Sequence, residues 1–169
     1  VEQQLEKLAR FDTLTGLANR GEAIARLEAA LEHPPAFGVH IGIIFCDVDH
    51  FKEINDTYGH LAGDHVLKHL ATATKTRIRR EDVLARYGGE EFAIILPEID
   101  HHNAMQFAEK VRALVEKTGF KFEDTDIPLT VSVGVATLGS DTVDWVGFVK
   151  QADDNLYAAK AGGRNQVVG

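Results

Sequence analysis

The feature of this sequence that most limits its fold is an uninterrupted apolar run that ends in acids. Residues 41–46 read IGIIFC, and Asp47 and Asp49 follow two residues apart, on one face of an extended chain. Such a run predicts a central strand, placed at 39–49, in a sheet covered by helices. Open α/β sheets put ligand chemistry at the carboxyl end of such strands, although a single Asp could instead cap the next helix.

The rest of the chain alternates between helical and extended patterns. An antiparallel hairpin predicted at 83–96 makes the sheet mixed. We therefore predict an α/β or α+β domain with a mixed sheet of about five strands flanked by helices. The segment 33–38 contains consecutive prolines and is predicted to be a loop. The other predicted elements are helices at 20–32, 61–79, 101–118 and 145–160, and strands within 120–138 and at 165–168.

Composition excludes several classes of protein. The 169 residues, 44% of them hydrophobic, suffice for one buried core. No apolar run approaches the ~18 residues needed to cross a bilayer and no signal peptide is present, so we expect a soluble, cytoplasmic domain without membrane contact. A net charge of −8 argues against a general nucleic-acid binder. Cys46, the single cysteine, is predicted to be a small core residue in a reducing cytosol.

The first ten residues predict a helix that continues from an upstream segment. The chain begins with Val1 rather than Met, and Val1, Leu5 and Leu8 fall on one helical face. We expect residues 1–10 to be the end of an upstream signalling helix, and 11–169 to be the functional domain. An input module is expected to precede them.

The predicted hairpin has an unusual tip. Residues 85–95 read ARYGGEEFAII, in which Gly88 and Gly89 are predicted to take the positive φ values of a two-residue turn. Glu90 and Glu91 would then point to opposite faces at the start of the second strand. Taken alone, this pattern is more typical of a charged loop in water.

Carboxylates at two neighbouring strand ends favour a site for a hard cation such as Mg²⁺. Two such ions ~4 Å apart can activate an attacking hydroxyl and stabilise a leaving phosphate oxygen. His65 and His69 have the i, i+4 spacing of a zinc chelate, but no third ligand or cysteine pair accompanies them. We therefore interpret them as exposed helix residues.

Five separated motifs stand in the order DTLTGLANR (12–20), CDVDHFKEINDTYGHLAGDHVL (46–67), ARYGGEEF (85–92), VSVGVA (131–136) and NLYAAKAGGRNQV (155–167). In this order they resemble the GGDEF domain of diguanylate cyclases, in its GGEEF form, from about residue 10 to 168. The resemblance implies a fold similar to the palm of adenylyl cyclases and polymerases. It also implies that two GTP molecules are joined into cyclic di-GMP with release of two pyrophosphates. Two domains would face each other around a twofold axis, and a sensory or receiver module would precede 11–169.

The resemblance assigns catalytic and metal roles to four residues. Asp47, Glu90 and the carbonyl of Val48 match the family's Mg²⁺ ligands, with Mn²⁺ as an alternative cation. Glu91 matches a position with a supporting catalytic role.

The resemblance also assigns substrate contacts. Asn55 and Asp64 match the guanine readers, because a carboxylate can accept from the N1–H and amine of guanine. Lys52, Lys160 and Arg164 match contacts to the triphosphate. The other expected contacts are His50, Phe51, Gly88 and Gly89. The glycine pair is expected to leave room for the ribose and α-phosphate, where a Cβ would clash.

Some of these motif residues also have purely structural interpretations. Lys160 and Arg164 could simply be basic residues near a helix end closed by two glycines, and both roles can hold at once. In DTLTGLANR, either Thr13 or Asn19 could cap the following helix, and we assign this motif to structure rather than catalysis.

Arg79 and Asp82 form the RxxD pattern that marks the family's inhibitory product site, at the family's spacing before the glycine pair. The sequence leaves open whether Arg77 or Arg80 completes that site.

Two functions from different classes remain: an active cyclase, or a catalytically silent domain that binds GTP or cyclic di-GMP and signals through a partner. Silent members usually have a damaged GGDEF motif, so the intact motif favours the enzyme. A cyclase or polymerase for another substrate is disfavoured by the guanine-reading pattern.

Overall fold

The computed structural model describes residues 2–32, 40–138 and 145–169, so the loop predicted at 33–38 lies outside the described residues. The helices are α1 (Glu2–Arg10), α2 (Arg20–Glu32), α3 (Phe51–Tyr58), α4 (His60–Lys75), α5 (His101–Thr118) and α6 (Trp145–Ala161). The strands are β1 (Ile41–Val48), β2 (Val83–Arg86), β3 (Glu91–Leu96), β4 (Phe120–Phe122), β5 (Thr125–Ile127), β6 (Val131–Leu138) and β7 (Val167–Val168). Within those three ranges, no helix combines the length and apolarity needed to cross a bilayer.

Five strands form a mixed sheet in the order β2-β3-β1-β6-β7. The central strand β1 runs antiparallel to both β3 and β6, whereas β6 and β7 are parallel. This arrangement confirms the predicted mixed sheet flanked by helices. The strands β4 and β5 form a separate two-stranded sheet.

Alternate residues of β1 enter two hydrophobic clusters, one on each face of the sheet. Ile44 and Cys46 pack with residues of α4 and α5, and Ile43 and Phe45 pack with residues of α2 and α6. All of β1 is buried, which confirms it as the central strand. Cys46 is a free, buried thiol, as the apolar run predicted.

Helix α6 packs unusually close to β6. A Cβ at Gly134 would overlap the backbone of Ala152 and Leu156. The Asn155 side-chain amide donates to the Val135 carbonyl at 2.8 Å. This close approach carries the end of α6, with Lys160, over the carboxyl end of β1.

The start of helix α2 agrees with the sequence prediction, whereas the start of helix α3 does not. Helix α2 begins after Asn19, whose Oδ1 accepts from the Glu22 N–H at 2.9 Å, so Asn19 is a cap. Helix α3 was not predicted; it begins after His50, which has a φ of 56° and makes no side-chain cap hydrogen bond. The interpretation of Asp47 or Asp49 as a helix cap is therefore wrong.

The loop of the β2–β3 hairpin is wider than predicted. Four residues, 87–90, lie between the strands, and neither Gly88 nor Gly89 has a positive φ. The predicted two-residue turn is therefore wrong. Glu90 lies in the loop, and only Glu91 begins the second strand.

Candidate active site

The end of β1 and the loop of the β2–β3 hairpin meet at one edge of the sheet. The Val48 N–H donates to the Glu90 carbonyl at 3.2 Å, and Asp47 lies opposite Glu91 in the strand register. The Tyr87 N–H closes the loop by donating to the Glu91 carbonyl at 2.8 Å. These backbone bonds bring three acidic residues, Asp47, Glu90 and Glu91, to the edge of the sheet where β1 ends.

Lys160 balances part of this negative charge. Its Nζ lies 2.7 Å from Asp47 Oδ2, and the Asp47 side chain is 9% exposed. Burial raises the pKa of Asp47; Lys160 lowers it, and the charges of Glu90 and Asp49 raise it again, so the net shift is upward. Two predicted site residues, one for metal and one for phosphate, thus hold each other.

Glu91 shares this environment. Burial, followed by the charges of Asp47 and Asp153, raises the pKa of Glu91 to about 7, against the opposing effect of Lys160. The carboxyl group is therefore divided between its neutral and charged forms at neutral pH.

The donor set fits a hard divalent cation. The carboxylates of Asp47 and Glu90 and the carbonyl of Val48 are oxygen donors that would suit such a cation, and Lys160 offsets only part of the negative charge of the acids around Asp47. Over the described residues, no three side chains of His, Cys, Asp or Glu converge to form a metal shell. That is compatible with Mg²⁺, which usually takes one or two carboxylates and completes its shell with phosphate and water.

The two glycines of the loop are not required by packing within the protein. A Cβ at Gly89 would meet nothing within 4 Å, and a Cβ at Gly88 would meet only the Glu91 side chain, at 3.4 Å. The loop therefore presents bare backbone to the outside of the molecule.

Arg86 fixes the position of this loop, and sequence reasoning missed it. Its Nε and Nη2 donate to the Gly89 carbonyl at 3.1 and 2.8 Å, and its Nη1 donates to Asp12 Oδ1 at 3.1 Å. Asp12 in turn accepts from the Thr15 N–H at 2.8 Å, so the DTLTG segment has the structural role assigned to it. In the sequence, only the position of Arg86, two residues before the glycine pair, could have indicated a contact with the loop.

The predicted guanine readers lie on neighbouring helices. Asn55 is half-buried on α3, and Asp64 is exposed in the second turn of α4. A Cβ at Gly63 would overlap Asn55 Oδ1 and would lie 3.2 Å from the Phe51 ring. Gly63 thus lets the Asn55 side chain lie against α4. A glycine inside a helical pattern was the signal for this role, which sequence reasoning missed.

The residues predicted to contact the triphosphate lie on separate elements. Lys160 lies at Asp47, whereas His50 and Lys52 are exposed at the start of α3. Arg164 is exposed in the loop after α6, which ends at a glycine pair where Gly163 has a φ of 118°. The structural interpretation of this helix end is therefore confirmed.

The family model described as diguanylate cyclase, GGDEF domain, matches residues 9–166. This chain belongs to the GGDEF family. Diguanylate cyclase DgcP of Pseudomonas aeruginosa is 38% identical over 99% of this chain and 25% of its own length. The response regulator PleD of Caulobacter vibrioides is 36% identical over 96% of this chain and 36% of its own length. The GGDEF domain thus spans about a quarter to a third of these relatives.

Solved structures agree with the fold. The coiled coil and GGDEF domain of DgcB from Caulobacter crescentus, in complex with c-di-GMP, matches with a TM-score of 0.90 at 34% identity, covering 99% of this chain and 88% of that chain. Diguanylate cyclase SiaD of Pseudomonas aeruginosa, in complex with its activator SiaC, matches with a TM-score of 0.88 at 34% identity, covering 99% of this chain and 64% of that one.

The RxxD residues of this GGDEF domain lie away from the carboxylates, in the turn before β2. Arg79 Nη2 lies 2.9 Å from Asp82 Oδ1, and the Arg79 N–H donates to Asp82 Oδ2 at 2.7 Å. Both residues line a cavity of about 360 Å³ together with Arg77, whereas Arg80 lines a second cavity that shares Asp82 with the first.

The two helix histidines of the GGDEF domain are exposed, as interpreted from the sequence. The His65 ring lies 5.1 Å from the Phe122 ring, and the His69 ring lies 5.2 Å from the Phe120 ring. They connect α4 to the small β4–β5 sheet.

Proposed function

We propose that this GGDEF domain is a cytoplasmic diguanylate cyclase that condenses two GTP molecules into cyclic di-GMP and releases two pyrophosphates. The observation that carries the proposal is the grouping of Asp47, Val48 and Glu90 by the bond between the Val48 N–H and the Glu90 carbonyl. The curated relatives named as diguanylate cyclases support it.

Asp47, Glu90 and the Val48 carbonyl would hold Mg²⁺, with Mn²⁺ as an alternative. When bound, the cation would neutralise charge on the triphosphate and polarise the α-phosphate, which a 3′-hydroxyl attacks. Lys160 leaves Asp47 and binds a phosphate oxygen instead. Glu91 has a supporting role in organising the neighbouring carboxylates. The glycine pair admits the ribose and α-phosphate against bare backbone.

The remaining proposed contacts bind and orient the nucleotide. Asn55 and Asp64 read the guanine edge, which adenine cannot match in hydrogen-bond pattern. Lys52 and Arg164 contact the triphosphate. Further contacts come from His50 and Phe51.

Two copies of the domain are needed, because each holds one GTP and the two must face each other. We propose a homodimer, controlled by an upstream sensory or receiver module in the rest of the protein. Arg79 and Asp82 are proposed to bind the product as an inhibitor, with Arg77 as the additional arginine because it lines the same cavity.

The test is incubation with GTP and Mg²⁺ at several protein concentrations, with mass analysis of the product and a count of pyrophosphate. We expect cyclic di-GMP, two pyrophosphates per product and a rate per molecule that rises with protein concentration. Glu90→Gln should lose nearly all turnover yet remain folded, whereas Glu28→Gln, at an exposed position on α2, should match the wild type. Full activity of Glu90→Gln would remove this residue from the mechanism, and GTP binding without product would favour a silent signalling domain.

A further inference from the structure

A buried carboxylate outside the proposed catalytic set holds the loop that follows α6. Asp49 is 5% exposed and lies just beyond the end of β1. Its Oδ1 accepts from the Ser132 hydroxyl at 2.6 Å, and its Oδ2 accepts from the Thr130 hydroxyl at 2.8 Å and from the Asn165 N–H at 3.0 Å. Because an unpaired buried charge is costly, these three donors hold Asp49 in one orientation.

The loop held by Asp49 has a constrained backbone. Arg164 has a φ of 64° and Asn165 a φ of 47°, so two consecutive residues other than glycine take the left-handed conformation. Such a conformation persists only where the surroundings fix it, and it often marks a functional position. The charged hydrogen bond to Asp49 fixes the second of these residues. On its other side, the Asn165 side chain accepts from Arg112 Nη1 at 2.8 Å and donates to Glu116.

The backbone of Arg164 is fixed, whereas its side chain is exposed. Arg164 is exposed, and no hydrogen bond or ion pair joins its guanidinium to any other part of the chain that the structure describes. Its N–H donates to the Ala159 carbonyl at 3.0 Å, which ties it to the last turn of α6, where Lys160 reaches Asp47. The described contacts therefore hold Arg164 through its backbone, beside the helix end that carries Lys160.

We propose that Asp49 is a positioning residue for phosphate binding. It holds the Asn165 N–H, keeps the backbone of residues 164–165 left-handed and thereby orients the Arg164 guanidinium toward the triphosphate. This role differs from that of Asp47, which faces Lys160 and the cation. The inference rests on the proposed binding of GTP.

The test is a double-mutant cycle on binding of α,β-methylene GTP with Mg²⁺, measured by calorimetry. Asp49→Ala should weaken binding about tenfold in the wild-type background, the scale of one charged hydrogen bond, and less than twofold in the Arg164→Ala background. Asp49→Asn keeps an acceptor for the Asn165 N–H and should recover most of the affinity. If Asp49→Ala does not fold, Asp49→Ser replaces it, since its hydroxyl is too short to reach the loop.

Ser132→Ala is the matched control. It removes a buried hydrogen bond to the other oxygen of Asp49 but leaves the loop untouched, so affinity should stay within twofold while stability falls. Equal losses in both Arg164 backgrounds, no loss on changing Asp49, or failure of Asp49→Asn to recover affinity would each overturn the inference. No binding of the analogue by the wild type would overturn the proposed function itself.

Discussion

At the scale of single residues, Glu91 has a pKa that its surroundings raise strongly. Burial, and then the charges of Asp47 and Asp153, raise its pKa from 4.5 to about 7. The folded protein therefore binds this proton more tightly than the unfolded chain does. Stability from this linkage is complete below pH 4.5 and is lost as the pH rises through 7.

Replacing Glu91 by Gln should therefore remove the loss of stability that accompanies ionisation of Glu91 as the pH rises from 4.5 through about 7. In metal-free buffer, the free energy of unfolding of Glu91→Gln relative to wild type should rise between pH 5 and 8 by at least about 1 kcal/mol, allowing for solvent screening. Urea unfolding at a series of pH values measures this difference. Glu28→Gln should show no such trend, and a constant difference for Glu91→Gln across this range would contradict the raised pKa.

Gly63 leaves room for the side chain of Asn55, which is a proposed contact to guanine. A Cβ there would overlap Asn55 Oδ1, so Gly63→Ala should displace Asn55 and weaken GTP binding by roughly tenfold. The helix itself should not suffer, because Ala has a higher helix propensity than Gly by about 1 kcal/mol. Calorimetry and thermal unfolding measure the two effects.

Gly21→Ala on α2 is the control for Gly63→Ala, since its Cβ would meet only Asn19 Oδ1 at 3.6 Å. Its affinity for GTP should match that of the wild type. Unchanged affinity in Gly63→Ala would mean that Asn55 does not depend on this close approach.

At the scale of elements, β1 and the acids at its end were predictable, because an apolar run of this kind can form few structures other than a buried central strand. Helix α3 was not, since its eight residues include Asn55, Asp56 and Thr57, which favour helix weakly. Packing of Ile54 in the core stabilises it instead. The same local reasoning found the carboxylates but missed Arg86.

The hairpin loop shows why local sequence was insufficient there. A glycine pair between two strands suggests a tight turn, but Arg86 bonds to the Gly89 carbonyl and to Asp12, 74 positions earlier in the chain. The position of Arg86 just before the glycine pair is a local signal for its bond to Gly89, but no local pattern indicates the partner Asp12. The loop conformation is therefore set by tertiary structure rather than by glycine alone.

The Asp12–Arg86 pair should contribute more to the free energy of unfolding than a surface ion pair does. Its side chains are 18% and 20% exposed, and Asp12→Asn or Arg86→Gln should each lower the free energy of unfolding by roughly 1–3 kcal/mol. Because they share one bond, the double variant should lose less than the sum. Urea unfolding measures all four proteins. Arg26→Gln removes a 55% exposed arginine from an i,i+4 pair with Glu22, and it should cost at most about 0.5 kcal/mol. Equal costs would contradict this ranking.

At the scale of the whole molecule, the β2–β3 hairpin separates two candidate ligand sites. The glycine loop lies at one end of the hairpin. Arg79 lies at the other end, where its Nη2 donates to the Pro97 carbonyl at 2.7 Å, just after β3. A ligand at Arg79 would therefore not occupy the proposed position of the triphosphate, and inhibition from that site would be non-competitive with GTP.

Arg79→Ala should lose at least about tenfold in affinity for cyclic di-GMP in a calorimetric titration without GTP, because a guanidinium can grip a phosphate or a guanine edge in a bidentate fork. Stability should also fall, since the Asp82 side chain, 1% exposed, loses its ion-pair partner. Arg80→Ala, in a different cavity, should bind like the wild type. Equal binding by wild type and Arg79→Ala would reject the product site.

The buried thiol in β1 gives this protein a built-in reporter. Cys46 is the only cysteine of the chain, is 3% exposed, and lies on a strand bonded on both sides. Burial and the neighbouring carboxylates raise the pKa of its thiol, which suppresses the reactive thiolate further. Alkylating reagents can therefore reach it only when the centre of the sheet opens. The rate of alkylation thus measures global opening in the native protein, and a cysteine introduced at the surface can be labelled selectively without first removing this one.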